Sequence, residues 1–219
     1  MSAAPSTHVH PIEARTHGRV VVRPAPGNGP WPTIVGFHGY AEDADIHVRA
    51  LDAIPDIGAW LLVGVQALHP FYTKQNRVVA NWMTSQDREL AIADNVDYVG
   101  RVLAWVRETY GAGAPMVFAG FSQGGAMAYR AAAAHGASGL LILAADVPPD
   151  IASASSASLP PTLIGRGTRD EWYSEAKHAQ DIATLARLGT SVDNCVFEGG
   201  HEWGQDFYEA AGQFLARLV

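Results

Sequence analysis

The chain has 219 residues, 48% of them hydrophobic and 17% charged, enough for one sizeable core and too apolar for a disordered chain. Lys+Arg 15 against Asp+Glu 22 gives a net charge of −7, and with no long basic run the chain is not expected to grip nucleic acid or anionic lipid. The one cysteine, Cys195, excludes an internal disulfide framework.

The opening residues, MSAAPSTHVHP, lack the basic and then apolar pattern of a signal peptide. The longest apolar runs, such as Gly139–Ala145, are too short to span a bilayer. The expectation is one domain over residues 1–219, cytoplasmic and without a membrane span. The oligomeric state is left open.

In chain order, a first strand near His8–Glu13 is expected to pair with Arg19–Arg23 through a Thr16-His17-Gly18 turn, as an antiparallel edge. Gly27-Asn28-Gly29-Pro30 reads as a turn and not a phosphate loop, because no helix with Lys-Ser/Thr follows. Further strands are expected at Thr33–Phe37, Trp60–Val65, Pro115–Ala119, Gly139–Ala144, Pro161–Ile164 and Val192–Glu198. Several are apolar at nearly every position, which belongs to strands of a parallel sheet buried on both faces. Helical spacing runs over Glu89–Tyr110, Ala126–His135, Ser174–Leu188 and Gln205–Leu218. Two stretches read as loops: His69–Arg88, with aromatics suited to a pocket wall, and the Ser/Ala-rich Ala152–Ser158. Strands alternating with helices predict an α/β fold with a mostly parallel central sheet, helices on both faces and no lid domain.

Gly120-Phe121-Ser122-Gln123-Gly124 fits G-x-S-x-G. Composition alone predicts on the order of 0.1 chance matches, so context decides. The motif directly follows the apolar run Met116–Ala119 and directly precedes the Ala-rich helix. That is the strand–turn–helix setting of a nucleophile elbow, with helix N–H groups facing a developing oxyanion.

A serine nucleophile needs a base, and the base needs an orienting acid, here in the order Ser, Asp/Glu, His. Of the downstream histidines, His135 ends a helix and should point away, and His178 lies on a polar helix face and is expected in solvent. His201 sits in the glycine-rich loop Glu198-Gly199-Gly200-His201-Glu202-Trp203, after the last strand. Asp170 follows a strand through Gly165-Arg166-Gly167-Thr168-Arg169 and is the preferred acid over Asp146 and Asp150, with Asp146 the fallback. Glu202 is read as solvated.

Upstream, Phe37-His38-Gly39-Tyr40 closes an early strand. The Tyr40 and Gln123 N–H groups are the candidate oxyanion donors, and His38 is read as a structural hydrogen-bonder. Trp82, Trp172 and Trp203 are candidate walls of a small substrate pocket. His8, His10 and His17 lack partners at metal-ligand spacing, so no metal site is expected. Cys195 reads as a small core residue. No dinucleotide fingerprint is present, and the chemistry requires no cofactor.

Together His38-Gly39, the Gly120–Gly125 string, the Asp170 loop and Gly200-His201 resemble the α/β-hydrolase superfamily. Within it they are most similar to the small, lidless phospholipase/carboxylesterase family, which includes bacterial esterases and acyl-protein thioesterases. The resemblance runs from about residue 33 to 203. It implies a triad of Ser122, Asp170 and His201, an oxyanion hole at Tyr40 and Gln123, and a small-molecule ester as substrate. Two strings depart from that family's pattern: Arg166-Gly167-Thr168-Arg169-Asp170-Glu171-Trp172 around the acid, and Trp82-Met83-Thr84 where the thioesterases show Trp-aromatic-Asp. Both argue against protein-thioesterase activity and leave a general ester hydrolase acting on short to medium acyl groups. The alternatives are another acyl hydrolase, such as a thioesterase or lysophospholipase, and a non-catalytic small-molecule binder on the same scaffold.

Overall fold

The computed structural model describes residues 7–154 and 159–219. Its strands are β1 (Val20–Arg23), β2 (Trp31–Phe37), β3 (Leu61–Val65), β4 (His69–Tyr72), β5 (Val78–Asn81), β6 (Ala112–Phe121), β7 (Gly139–Leu143), β8 (Thr162–Gly167) and β9 (Val192–Phe197). Its helices are α1 (Ala44–Asp52), α2 (Arg88–Tyr110), α3 (Gln123–His135), α4 (Pro149–Ala152), α5 (Glu175–Arg187) and α6 (Gln205–Ala216).

The central sheet has the order β1-β3-β2-β6-β7-β8-β9. Only β1 runs antiparallel, against β3; the other pairs are parallel. Helices cover both faces. The inner strands β3 (LLVGV) and β7 (GLLIL) are buried at every position, as their unbroken apolar runs require. β9 is a sheet edge and is only half-buried, with Val196 46% exposed. Helix α2 turns Val99, Val102, Leu103 and Val106 inward and stops at Gly111, whose φ of 65° a β-carbon would oppose.

Several expectations are corrected. His8–Glu13 forms no strand and lies exposed; the antiparallel edge exists, but β1 makes it with β3. The stretch His69–Arg88 is not a plain loop: it carries the β4–β5 hairpin, joined antiparallel from His69↔Asn81 to Tyr72↔Val78. Helix α1 lies where no helix is expected. Its nine residues are too few for a convincing period, although Asp43 caps it by accepting from Ile46 N at 2.7 Å. His178 is buried and not in solvent, because α5 turns His178, Asp181 and Leu185 toward the sheet. Cys195 is half-buried on the edge strand rather than in the core. Within the expected loop Ala152–Ser158, residues 155–158 lie outside the described residues, as do residues 1–6 of the opening segment.

The strand order decides the placement of the site. Ser122 follows β6, Asp170 follows β8 and His201 follows β9. All three therefore emerge at the carboxyl ends of parallel strands, where open α/β sheets present their loops to ligands.

Candidate active site

Ser122 joins β6 to α3 with φ 52° and ψ −123°, a conformation that L-residues rarely hold. The turn is tight because strand and helix nearly touch: a β-carbon on Gly120 would lie 2.5 Å from the Gly124 carbonyl oxygen, and one on Gly124 would lie 2.0 Å from the Phe37 carbonyl oxygen of the neighbouring β2. Ser122 N–H donates to the Leu143 carbonyl at 3.0 Å, which ties the elbow to the end of β7. Helix α3 opens immediately afterward without a side-chain cap, so its first turn is available to a developing negative charge.

His201 Nε2 lies 2.9 Å from Ser122 Oγ, and His201 Nδ1 lies 2.8 Å from Asp170 Oδ2. With Asp170 ionised, Nδ1 carries the proton and Nε2 is left to accept from the serine hydroxyl. The Asp170 side chain is fully buried and that of His201 is 23% exposed. Asp170 Oδ1 accepts from Trp172 N at 2.9 Å and Tyr173 N at 2.8 Å. Two backbone N–H groups thus fix the carboxylate on one oxygen while the other faces the imidazole.

The Asp170 and His201 loops are stitched together by Thr168 N–H to the Phe197 carbonyl and Arg169 N–H to the Gly199 carbonyl, both at 2.8 Å. They approach so closely that a β-carbon on Gly167 would meet the Gly200 carbonyl at 2.3 Å. Phe121 packs on the imidazole with ring centroids 5.0 Å apart.

The other acids have different work. Asp146 is exposed and pairs with Lys177 Nζ at 3.4 Å. Asp150 holds buried Arg130 through two bonds, at 2.8 and 2.7 Å, and that guanidinium keeps its carboxyl below the usual range. Glu202 is exposed and accepts from Gly200 N. His135 bonds the Val96 carbonyl, on the helix side away from the elbow.

The loop after β2 is held from three directions. His38 Nδ1 donates to the Gly39 carbonyl at 2.7 Å, so its Nε2 accepts from Ala67 N at 3.1 Å. Burial lowers the His38 pKa and favours this neutral form. Gly39 N–H donates to Glu42 Oε2 at 2.7 Å. Ala41, at φ 58°, donates to the Ala80 carbonyl, and Ala80 N–H returns a bond to the Glu42 carbonyl. Tyr40 stands inside this clamp, its side chain 60% exposed against Phe71. Burial raises the Glu42 carboxyl, and the backbone bond from Gly39 opposes the rise.

A cavity of about 530 Å³ opens at Ser122 and His201, between Ala144–Pro149, Trp172 and the inner face of α5. Of the three tryptophans expected to wall it, only Trp172 does so, 75% exposed at its rim. Trp82 is fully buried; its indole donates to the His38 carbonyl at 2.8 Å and packs on Phe37. Trp203 packs behind the base loop on Phe121, Phe207 and Tyr208. Large aromatics gain more from core contact than from a wet rim.

The Gln123 side chain was not anticipated as a structural device. It accepts from Trp82 N and donates to the Met83 carbonyl, both at 2.9 Å, and so fastens the 82–83 loop to the elbow. Its place inside the motif was the only sequence signal. Among the described residues no cluster of His, Cys, Asp and Glu could hold a metal, and no helix is long and apolar enough to cross a membrane.

No family model matches the chain, and no curated protein matches it. Solved structures do. Esterase PE8 aligns at a TM-score of 0.75 with 23% identity, covering 92% of this chain and 99% of that one. The Bacillus cereus carboxylesterase aligns at 0.73 with 14% identity, over 92% and 95% of the two chains. The Dyadobacter fermentans phospholipase/carboxylesterase aligns at 0.70 with 18% identity, over 91% and 97%.

Proposed function

We propose, for a chain that has the α/β-hydrolase fold, that it is a serine carboxylic ester hydrolase of the phospholipase/carboxylesterase kind. The observation that carries the reading is the continuous line Ser122 Oγ–His201–Asp170, with steps of 2.9 and 2.8 Å, at a strained elbow. In this reading His201 takes the Ser122 proton as Oγ attacks the acyl carbonyl. The buried Asp170 carboxylate stabilises the imidazolium that forms. The N–H groups of Gln123 and Tyr40 hold the oxyanion, the first at the start of α3 and the second on the clamped 39–42 loop. His201 then returns the proton to the leaving alkoxide. Water, deprotonated by the same imidazole, cleaves the acyl-enzyme.

The complete Ser–His–Asp line favours an enzyme over a non-catalytic binder. The 530 Å³ cavity and the absence of a lid among the described residues favour short to medium acyl groups. Each methylene that finds a wall gains up to ~0.8 kcal/mol, and the gain is expected to stop at or below about eight carbons. Two measurements test the proposal. A fluorophosphonate probe should label the native protein and not Ser122→Ala. Across p-nitrophenyl esters of rising chain length, kcat/KM should level off by about eight carbons. An unlabelled native protein overturns the serine mechanism, and a constant still climbing at twelve carbons overturns the substrate range.

A further inference from the structure

The cavity beside Ser122 is not a hydrocarbon slot. Besides Ala126, Val147 and two prolines, its wall presents Arg88, Asp146, Lys177, Gln180 and Asp181. The question is which of these charges still lacks a counterpart.

Lys177 has one: its Nζ lies 3.4 Å from the Asp146 carboxylate and donates to the Trp172 carbonyl at 3.1 Å. Arg88 acts on Asp150 only at longer range, beside the Arg130 guanidinium that already holds it. Asp181 differs. It sits on the inner face of α5, only 7% exposed, and its bonding partners are neutral: the Tyr173 hydroxyl at 2.8 Å on Oδ2, and the Val147 backbone. Among the described residues no cation pairs with it directly; Lys177, spent on Asp146, is the last of the influences on its pKa. Burial pushes the carboxyl up to about 6, with Asp146 adding repulsion. At neutral pH the cavity therefore contains one carboxylate short of positive charge and of donors. Tyr173 also supplies one of the two N–H groups that fix Asp170, so this carboxylate is rigidly placed relative to the catalytic line.

Resting on the esterase reading above, we propose that Asp181 is a specificity-determining residue, and that the substrate part filling this cavity ends in a hydrogen-bond donor, a hydroxyl or ammonium group. A plain alkyl tail that reached Asp181 would gain its methylene contacts but strip water from the carboxylate and offer its remaining lone pairs no donor. Leaving a buried acceptor short of donors is what gives sites of this kind their strongest discrimination. A carboxylate tail would meet Asp181 with like charge.

The test compares methyl esters of five to eight carbons with three chain ends: methyl, ω-hydroxyl and ω-ammonium. The monomethyl esters of the matching diacids serve as the anionic arm, and acid release is followed at pH 7.5. The native protein should favour one of the donor-ended series over the plain series by tenfold or more in kcat/KM, with the anionic series poorest. Whether hydroxyl or ammonium leads identifies the donor. In Asp181→Leu, which keeps the side-chain size and removes the acceptor, the donor-to-plain ratio should fall toward one, and the ratio is read within each protein, so a general loss of activity does not enter it. A native protein that labels with the fluorophosphonate and cleaves plain esters, yet shows a ratio near one or prefers the anionic series, overturns this inference alone. A protein that neither labels nor cleaves overturns both readings. If Asp181→Leu does not fold, the native comparison across chain ends still decides.

Discussion

At their amino ends β2 and β8 start alike. Each has a proline directly before a buried threonine, and the hydroxyl turns back to a carbonyl two residues earlier: Thr33 to Trp31 and Thr162 to Pro160, both at 2.9 Å. The threonine hydroxyls there are satisfied locally, even where the β2–β6 register shifts between Pro32 and Thr33. At the carboxyl ends the same sheet carries Ala41, Ser122 and Ala144 at positive φ, each without glycine's freedom. It also buries His38 and the Asp170 carboxylate. Strain and buried polar groups persist only where the surrounding structure over-determines them, so the carboxyl ends draw on stability that the amino ends and the apolar middle supply.

If that contrast is right, substitutions at the two ends should fail in different currencies. The largest effect belongs to the catalytic line: Ser122→Ala and His201→Ala should each lower kcat on an activated ester by about 10³-fold or more, with the thermal midpoint little changed. Near-normal turnover by Ser122→Ala would break the comparison outright. Next comes the acid. Asp170→Asn should cost on the order of 10²-fold or more in kcat, and Asp146→Asn, exposed and salt-bridged to Lys177, should cost little. The reverse outcome would move the acid one strand earlier.

The third effect is on stability. His47 on α1 lies against Gly36 and donates to the Ala119 carbonyl at 3.3 Å, with Nδ1 buried and unpartnered. Burial pushes its pKa down to about 3, with His38 adding repulsion. A base depressed in the folded state contributes stability that is fully present above its ordinary value of 6.5 and is lost as pH falls toward 3. Urea unfolding of His47→Gln should therefore weaken less than the native protein between pH 7 and pH 4, the difference being on the order of a few kcal/mol.

Smaller is the loop clamp. Glu42→Ala releases the Gly39 N–H and should lower kcat about tenfold with KM nearly unchanged, while Glu42→Gln, which keeps an acceptor, should recover most of it. A change confined to KM would assign Glu42 to binding instead. Smallest is Thr33→Val at an amino end: a loss of about 1 kcal/mol in unfolding free energy, with kcat/KM untouched.

The proposed catalytic constellation was legible because it rests on short-range signals. An apolar strand, a glycine-flanked serine and an alanine-rich helix leave one local geometry for Ser122, and chain order then points to Asp170 and His201. The long helix α2 was legible for the same reason, its apolar spacing carried from Val96 through Val99 and Val102/Leu103 to Val106. Helix α1 and the β4–β5 hairpin were not, since nine residues and four-residue strands are held by what they pack against more than by their own pattern. Trp82 and His178 were misplaced because a residue's type does not say which side of an element the core lies on.

Which strands are buried, where the elbow falls and which three side chains can meet could be read from the residues alone, because these follow from local periodicity and the chirality of β-α-β crossovers. It took the assembled fold to show that Glu42 clamps the 39–42 loop, that Asp150 serves Arg130, and that Asp181 faces the cavity beside Ser122 with neutral partners. Each of those roles depends on distances between groups far apart in the chain, and such distances exist only once the sheet has assembled.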